Sequence, residues 1–175
     1  MVIESKFWQK VFLFCAGLTA GAMFCMKWIE SDLLYNGKDF TILGLEISYP
    51  KEKVAEILTG LDDKTRTILG NHLSFDFAFM AGIFPAIASI NMMARHKQTG
   101  NFVRKLLMAI SFAQILAWAF DIIENSYLLC WLQGQSIGAD FGLFHFFVFT
   151  KWILAIIGAL TGLLFLFKKS RKTIF

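Results

Sequence analysis

Four apolar runs restrict what this chain can fold into more than any motif does: about Val11 to Trp28, Leu73 to Met93, Leu106 to Leu132 and Phe141 to Phe167. A helix rising about 1.5 Å per residue needs about 20 apolar residues to cross the hydrocarbon of a bilayer, and the runs are near or above that length. With no water in hydrocarbon to satisfy the backbone, each run must close its own hydrogen bonds as a helix. Apolar residues make up 57% of the 175, a share that a soluble domain of this size does not carry. The sequence therefore predicts an integral membrane protein: an all-α bundle of four transmembrane helices forming a single domain over residues 1–175. The last two runs are long enough to tilt or to emerge from the membrane as helix.

Basic residues near helix ends set orientation. Lys6 and Lys10 precede the first run, Arg95, Lys97, Arg104 and Lys105 flank the turn between the second and third, and Lys168, Lys169, Arg171 and Lys172 follow the fourth. The turn GQSIGAD between the third and fourth runs has no Lys or Arg. This pattern predicts cytoplasmic N and C termini, and it accounts for the +4 net charge without a nucleic-acid partner. Three dispersed cysteines, Cys15, Cys25 and Cys130, supply neither a disulfide framework nor a CxxC pair, and read as small apolar residues. The first run has an Ala20-Gly21-Ala22 stretch that resembles a signal-peptidase site, but its apolar character continues to Trp28. It is expected to remain as a spanning helix, with Gly17 and Gly21 as a small-residue face for close packing.

Residues 29–72 lie between the first two runs and are expected to form an extracytoplasmic cap. Phe40 to Ser48, FTILGLEIS, reads as a short strand from its apolar, partly β-branched composition. Pro50 then opens an amphipathic helix through Leu58, with Val54, Ile57 and Leu58 on one face, and Gly60 ends it. Asp62 or Asp63 caps a following helix that runs through Ile68 and Leu69 towards the membrane. In the second run, Pro85 removes a backbone donor and is expected to bend the helix.

The third run, FAQILAWAFDIIENSYLLCWL, carries Asp121, Glu124 and Asn125 where hydrocarbon should be, and the fourth carries Lys151. A charge at mid-membrane costs roughly 2.5–3.5 kcal/mol on insertion scales, so such groups face a protein interior and find partners there. From the helical rise, Glu124 lies roughly 12 Å and Asp121 roughly 16 Å below the end near Leu132, while Lys151 lies roughly 12 Å below the end near Leu143. The levels match. Lys151 shares a helix face with Ala155, Gly158 and Gly162, where another helix should pack, and Asp76 opens the second run nearer the surface, within reach if an Asn or Lys side chain bridges. One ammonium among several carboxyls leaves surplus acid, so one carboxyl is expected to hold a proton near neutral pH.

Asp76, the DxxEN set of Asp121, Glu124 and Asn125, and Lys151, together with the short cap, resemble the pattern of a group of small bacterial four-helix integral membrane proteins. The resemblance covers most of the chain from Phe40 onward. It implies a multi-pass protein of the bacterial inner (cytoplasmic) membrane and attaches no activity.

Three readings of the constellation stay open. It could be a buried network that fixes helix pairing around a small ligand pocket, a site for an ion- or proton-linked binding or transport subunit, or an intramembrane lipid-modifying enzyme with Asp121 and Glu124 as acid and base. Asp76, Asp121, Glu124, Asn125 and Lys151 are the ligand- or ion-binding candidates in each. The absence of HExxH, GxSxG, P-loop and CxxC patterns removes the chemistries they support, and His72 and His145 read as interfacial residues rather than metal ligands. No metal or cofactor is expected. The expected partners are the bilayer, a bound lipid or small polar ligand, and a second copy of the chain through the Gly17/Gly21 or Gly158/Gly162 face.

Overall fold

A computed structural model describes residues 2–168 of the chain. Lys169, Arg171 and Lys172 of the basic tail lie outside the described residues. The element order is α1 (Val2–Glu30), a hairpin of β1 (Leu34–Tyr35) and β2 (Lys38–Asp39), a π-helical turn (Gly44–Ser48), α2 (Lys51–Gly60), α3 (Asp63–Lys97), α4 (Asn101–Leu132) and α5 (Phe141–Phe167). α1, α3, α4 and α5 are each long and apolar enough to cross a membrane.

The spanning helices do not form a symmetrical bundle. α3, α4 and α5 pack on one another, whereas α1 packs extensively on α3 alone. The seam between α1 and α3 is made by small groups. A Cβ added at Gly82 would come within 2.8 Å of both the Cys15 carbonyl oxygen and the Thr19 backbone nitrogen. The close approach of α1 therefore uses Gly82 against Cys15 and Thr19. Gly17 and Gly21, expected to serve this purpose, have nothing within 4 Å. Gly158 and Gly162 do pack inside the bundle: a Cβ at Gly158 would collide with the Gln114 amide, and one at Gly162 would meet Ile90 Cγ2 at 2.8 Å.

Polar side chains join the helices in the half of the bundle near the α3–α4 turn. Asn91 Nδ2 donates to the Gly158 carbonyl at 2.8 Å, Gln114 Nε2 to the Leu154 carbonyl at 3.1 Å, and Ser111 Oγ to the Ala88 carbonyl at 3.1 Å. These bonds suit a setting in which apolar burial cannot drive helices together. At the turn itself, Lys97 Nζ and Gln98 Nε2 donate to the Leu166 and Phe165 carbonyls at 3.1 and 2.9 Å, satisfying the last turn of α5. α3 continues through Pro85 as one helix, and Ser89 Oγ donates to the Pro85 carbonyl at 2.7 Å.

The opposite end of the bundle is covered by residues 31–62, and a conventional hydrophobic core sits beneath them. Leu33, Phe40, Leu45, Val54, Ile57 and Leu58 of the cap pack with Leu69, Leu73, Leu128, Trp131 and Phe144 of the helix ends. Trp131 and Phe144 bring their rings to 4.9 Å between centroids. The expected strand over Phe40–Ser48 is not present. Its place is taken by the two-residue hairpin upstream, closed by Asn36 and Gly37 with φ of 52° and 72°, and by the π-helical turn. Positive φ at both central residues is the requirement of a tight type I′-like turn, which Asn-Gly meets at little steric cost. Thr41 Oγ1 accepts from the Gly44 N–H at 2.9 Å and starts the winding of residues 44–48.

α2 follows Pro50 and buries Val54, Ile57 and Leu58, the face expected from its spacing. Asp62 caps α3, accepting from the Thr65 N–H at 2.7 Å. α3 then runs without interruption from Asp63, so the last ten residues of the expected 29–72 cap are its opening turns. Arg66 ties the cap to the bundle, donating to the Leu58 carbonyl of α2 at 3.2 Å and to the Leu132 carbonyl of α4.

Candidate functional site

The acids of α4 and the lysine of α5 meet. Lys151 Nζ lies 2.6 Å from Asp121 Oδ1 and 2.6 Å from Glu124 Oε2. α4 supplies both acids because residues three apart lie on neighbouring parts of one helix face, and α5 presents Lys151 from the small-residue face that also carries Gly158 and Gly162. All three side chains are buried: Lys151 is 5% exposed, Asp121 4% and Glu124 0%. Glu124 Oε1 has no hydrogen-bond partner.

Asp76 joins from α3. It accepts a hydrogen bond from Asn125 Nδ2 and is 9% exposed, so the carboxyl is buried in the bundle rather than solvated at its surface. The bridging asparagine comes from the turn of α4 that carries Glu124. Asp76, Asp121, Glu124, Asn125 and Lys151, named from sequence on three helices, thus form one cluster.

A sixth member comes from outside the spanning helices. Glu46, in the π-helical turn of the cap, is 5% exposed and places Oε2 3.7 Å from Lys151 Nζ. Burial pushes the Glu46 carboxyl above the ordinary glutamate range, against the pull of Lys151 and with the nearby Asp121 adding to the rise. Glu46 is therefore a carboxyl disposed to keep a proton. Its only signal in the sequence is a single acid in an apolar stretch, without a helical period to fix its depth.

A cavity of about 380 Å³ adjoins the cluster. Its polar end is bounded by Glu46, Asp76, Asp121, Lys151 and His72, and its walls by Met23 and Met26 of α1, Phe79, Ile83, Phe84 and Ile87 of α3, and Trp152, Ala155, Ile156 and Ala159 of α5. Because α1 rests on α3 and not extensively on α5, the cavity opens between α1 and α5 on the flank of the bundle. Met23, Trp152 and Ile156 line it and are also 51%, 38% and 52% exposed on that flank. Lys27 and Glu30, paired with each other, stand at its rim.

His72 is 3% exposed; it lines the cavity, and its Nδ1 has no hydrogen-bond partner. His145 lies apart on α5, its ring 4.4 Å from that of Phe141 between centroids. Among the described residues, no three His, Cys, Asp or Glu side chains are arranged to hold a metal ion.

Comparison with family profiles, curated proteins and solved structures found no match for this chain. Any function must therefore be sought in the chemistry of the cluster and the cavity themselves.

Proposed function

We propose that this is a multi-pass protein of the bacterial inner membrane, with cytoplasmic termini and an extracytoplasmic cap. Its buried acid and lysine network holds the helices around a pocket for an amphiphilic ligand drawn sideways from the outer leaflet. The observation that carries this reading is the form of the cavity: apolar walls open to the bundle flank, and a charged end under the cap. A pocket of a few hundred Å³ with apolar walls and a few convergent polar groups is the usual shape of a small-molecule site. An alkyl chain would lie against Ile83, Ile87 and Ile156, with its polar end turned to Glu46, Asp76 and Asp121.

Binding is favoured over transport by the other half of the bundle. There, the amides of Asn91 and Gln114 are engaged with the carbonyls of Gly158 and Leu154, which supports a blind pocket rather than a continuous polar path. A second copy would have to use the Gly17/Gly21 face, since Gly158 and Gly162 are enclosed within the protomer.

Native mass spectrometry of the detergent-purified chain tests the reading. The wild type is expected to carry a bound amphiphile, and Ile83→Trp with Ile156→Trp is expected to lose it while staying folded. Wild type free of any non-detergent adduct, or a filled variant that retains the same adduct, would overturn the proposal.

A further inference from the structure

We propose that the polar end of this cavity selects a protonated amine, so that its ligand is an amphiphile with an ammonium head. The inference rests on the reading of the cavity as an amphiphile site and adds the chemistry of the head. Charge matching around the cavity is its first support. The acids lining it are Glu30, Glu46, Asp76 and Asp121, and the lysines are Lys27 and Lys151. Lys27 is committed to Glu30, and Lys151 sits at 2.6 Å from both Asp121 and Glu124. Glu46 stands farther off at 3.7 Å, and Asp76 has a neutral amide as its hydrogen-bond donor. Asp76 thus presents a carboxyl without an ion pair among the described residues.

The second support is independent of charge. His72 lines the same cavity in a side chain 3% exposed, and its Nδ1 lacks a hydrogen-bond partner. An imidazole on the cavity wall can accept a hydrogen bond from a ligand N–H through a ring nitrogen lone pair. The site therefore combines a carboxyl that has no ion pair among the described residues with an imidazole on the same wall, and an ammonium brings both a positive charge and three N–H donors. A phosphate or carboxylate head would meet several carboxyls. A hydroxyl head could donate one hydrogen bond but would bring no positive charge to the acids.

Three single-chain probes of equal length separate these heads: dodecylammonium, dodecanol and dodecyl phosphate. Binding is read by the fluorescence of Trp152, with the full-length protein in phosphatidylcholine nanodiscs and Trp152→Phe giving the background. Dodecylammonium is expected to bind about tenfold or more tightly than either competitor, the scale of one charge-assisted hydrogen bond. Asp76→Asn should remove most of that preference. Asp76→Glu, which keeps the charge, should retain part of it. Equal binding of the three probes, a preference for the phosphate, or full amine preference in Asp76→Asn would overturn the amine assignment while leaving the cavity reading intact. Failure of every probe to bind the wild type, or identical binding to the filled Ile83→Trp, Ile156→Trp variant, would sink both. Should Asp76→Asn not fold, the wild-type probe series still decides the head chemistry.

Discussion

Glu46 Oε2 lies 3.7 Å from Lys151 Nζ, although Glu46 belongs to a π-helical turn of the cap and Lys151 to the third turn of α5. The contact joins the cap to the buried charges, so a change at one is felt by the other. It also places the cap over the charged end of the cavity.

The Glu46 carboxyl should make stability depend on pH with a definite sign. Its folded value is raised by burial above the ordinary 4.5, so its contribution is fully present below pH 4.5 and is lost as the pH rises through the raised value. Thermal midpoints of wild type and Glu46→Gln, measured from pH 4.5 upward, should show the wild type losing stability relative to the variant. A difference that does not change with pH would refute this.

Lys151 balances two carboxylates in a desolvated place. Lys151→Met should destabilise by about 3–5 kcal/mol, because it leaves buried acids without their counter-ion. Adding Glu124→Gln should recover part of the loss, giving a double mutant more stable than the sum of the singles. Equilibrium unfolding in detergent measures the coupling, and strict additivity would show that the pair does not interact.

The α1 seam should tolerate no added methyl at Gly82. Gly82→Ala puts its Cβ against backbone atoms of Cys15 and Thr19 and should cost about 1–3 kcal/mol, with α1 displaced from α3. Gly17→Ala meets nothing within 4 Å and should be neutral or slightly stabilising. Unfolding of both variants alongside wild type tests the contrast.

Arg66 satisfies the final carbonyls of two helices at once. Lys cannot reproduce its planar fork, so Arg66→Lys should lose about 1–3 kcal/mol and Arg66→Met at least as much. Hydrogen exchange should quicken in α2 and in the last turn of α4, with little change near the α3–α4 turn.

Helical rise makes the central cluster legible in the sequence. Glu124 and Lys151 sit on continuous helices joined by a short turn, so counting residues from that turn fixes their common level. Lys151 can be turned inward because Gly158 and Gly162 mark its face for packing, and they do pack there. Glu46 escapes the same argument, since a chain that is neither helix nor strand has no constant rise from which to read depth. Composition suggests a strand at Phe40–Ser48, whereas the local hydrogen bonds of Thr41, Leu45 and Tyr49 wind it into a turn that carries Glu46 to the ammonium. The outlying position of α1 is hidden for a related reason. Its lipid-facing and protein-facing residues are both apolar, so the pattern does not say which helices it touches.

The Gly82 seam gives α1 the geometry of a lever. Thr19 rests at the fulcrum and Glu30 lies eleven residues beyond it, an arm of about 16 Å along the helix. A tilt of about 10° about that fulcrum carries the rim of the cavity through about 3 Å, close to the width of one methylene chain's clearance on each side. The position of α1 beside the cavity is thus set by the size of a side chain that Gly82 does not have.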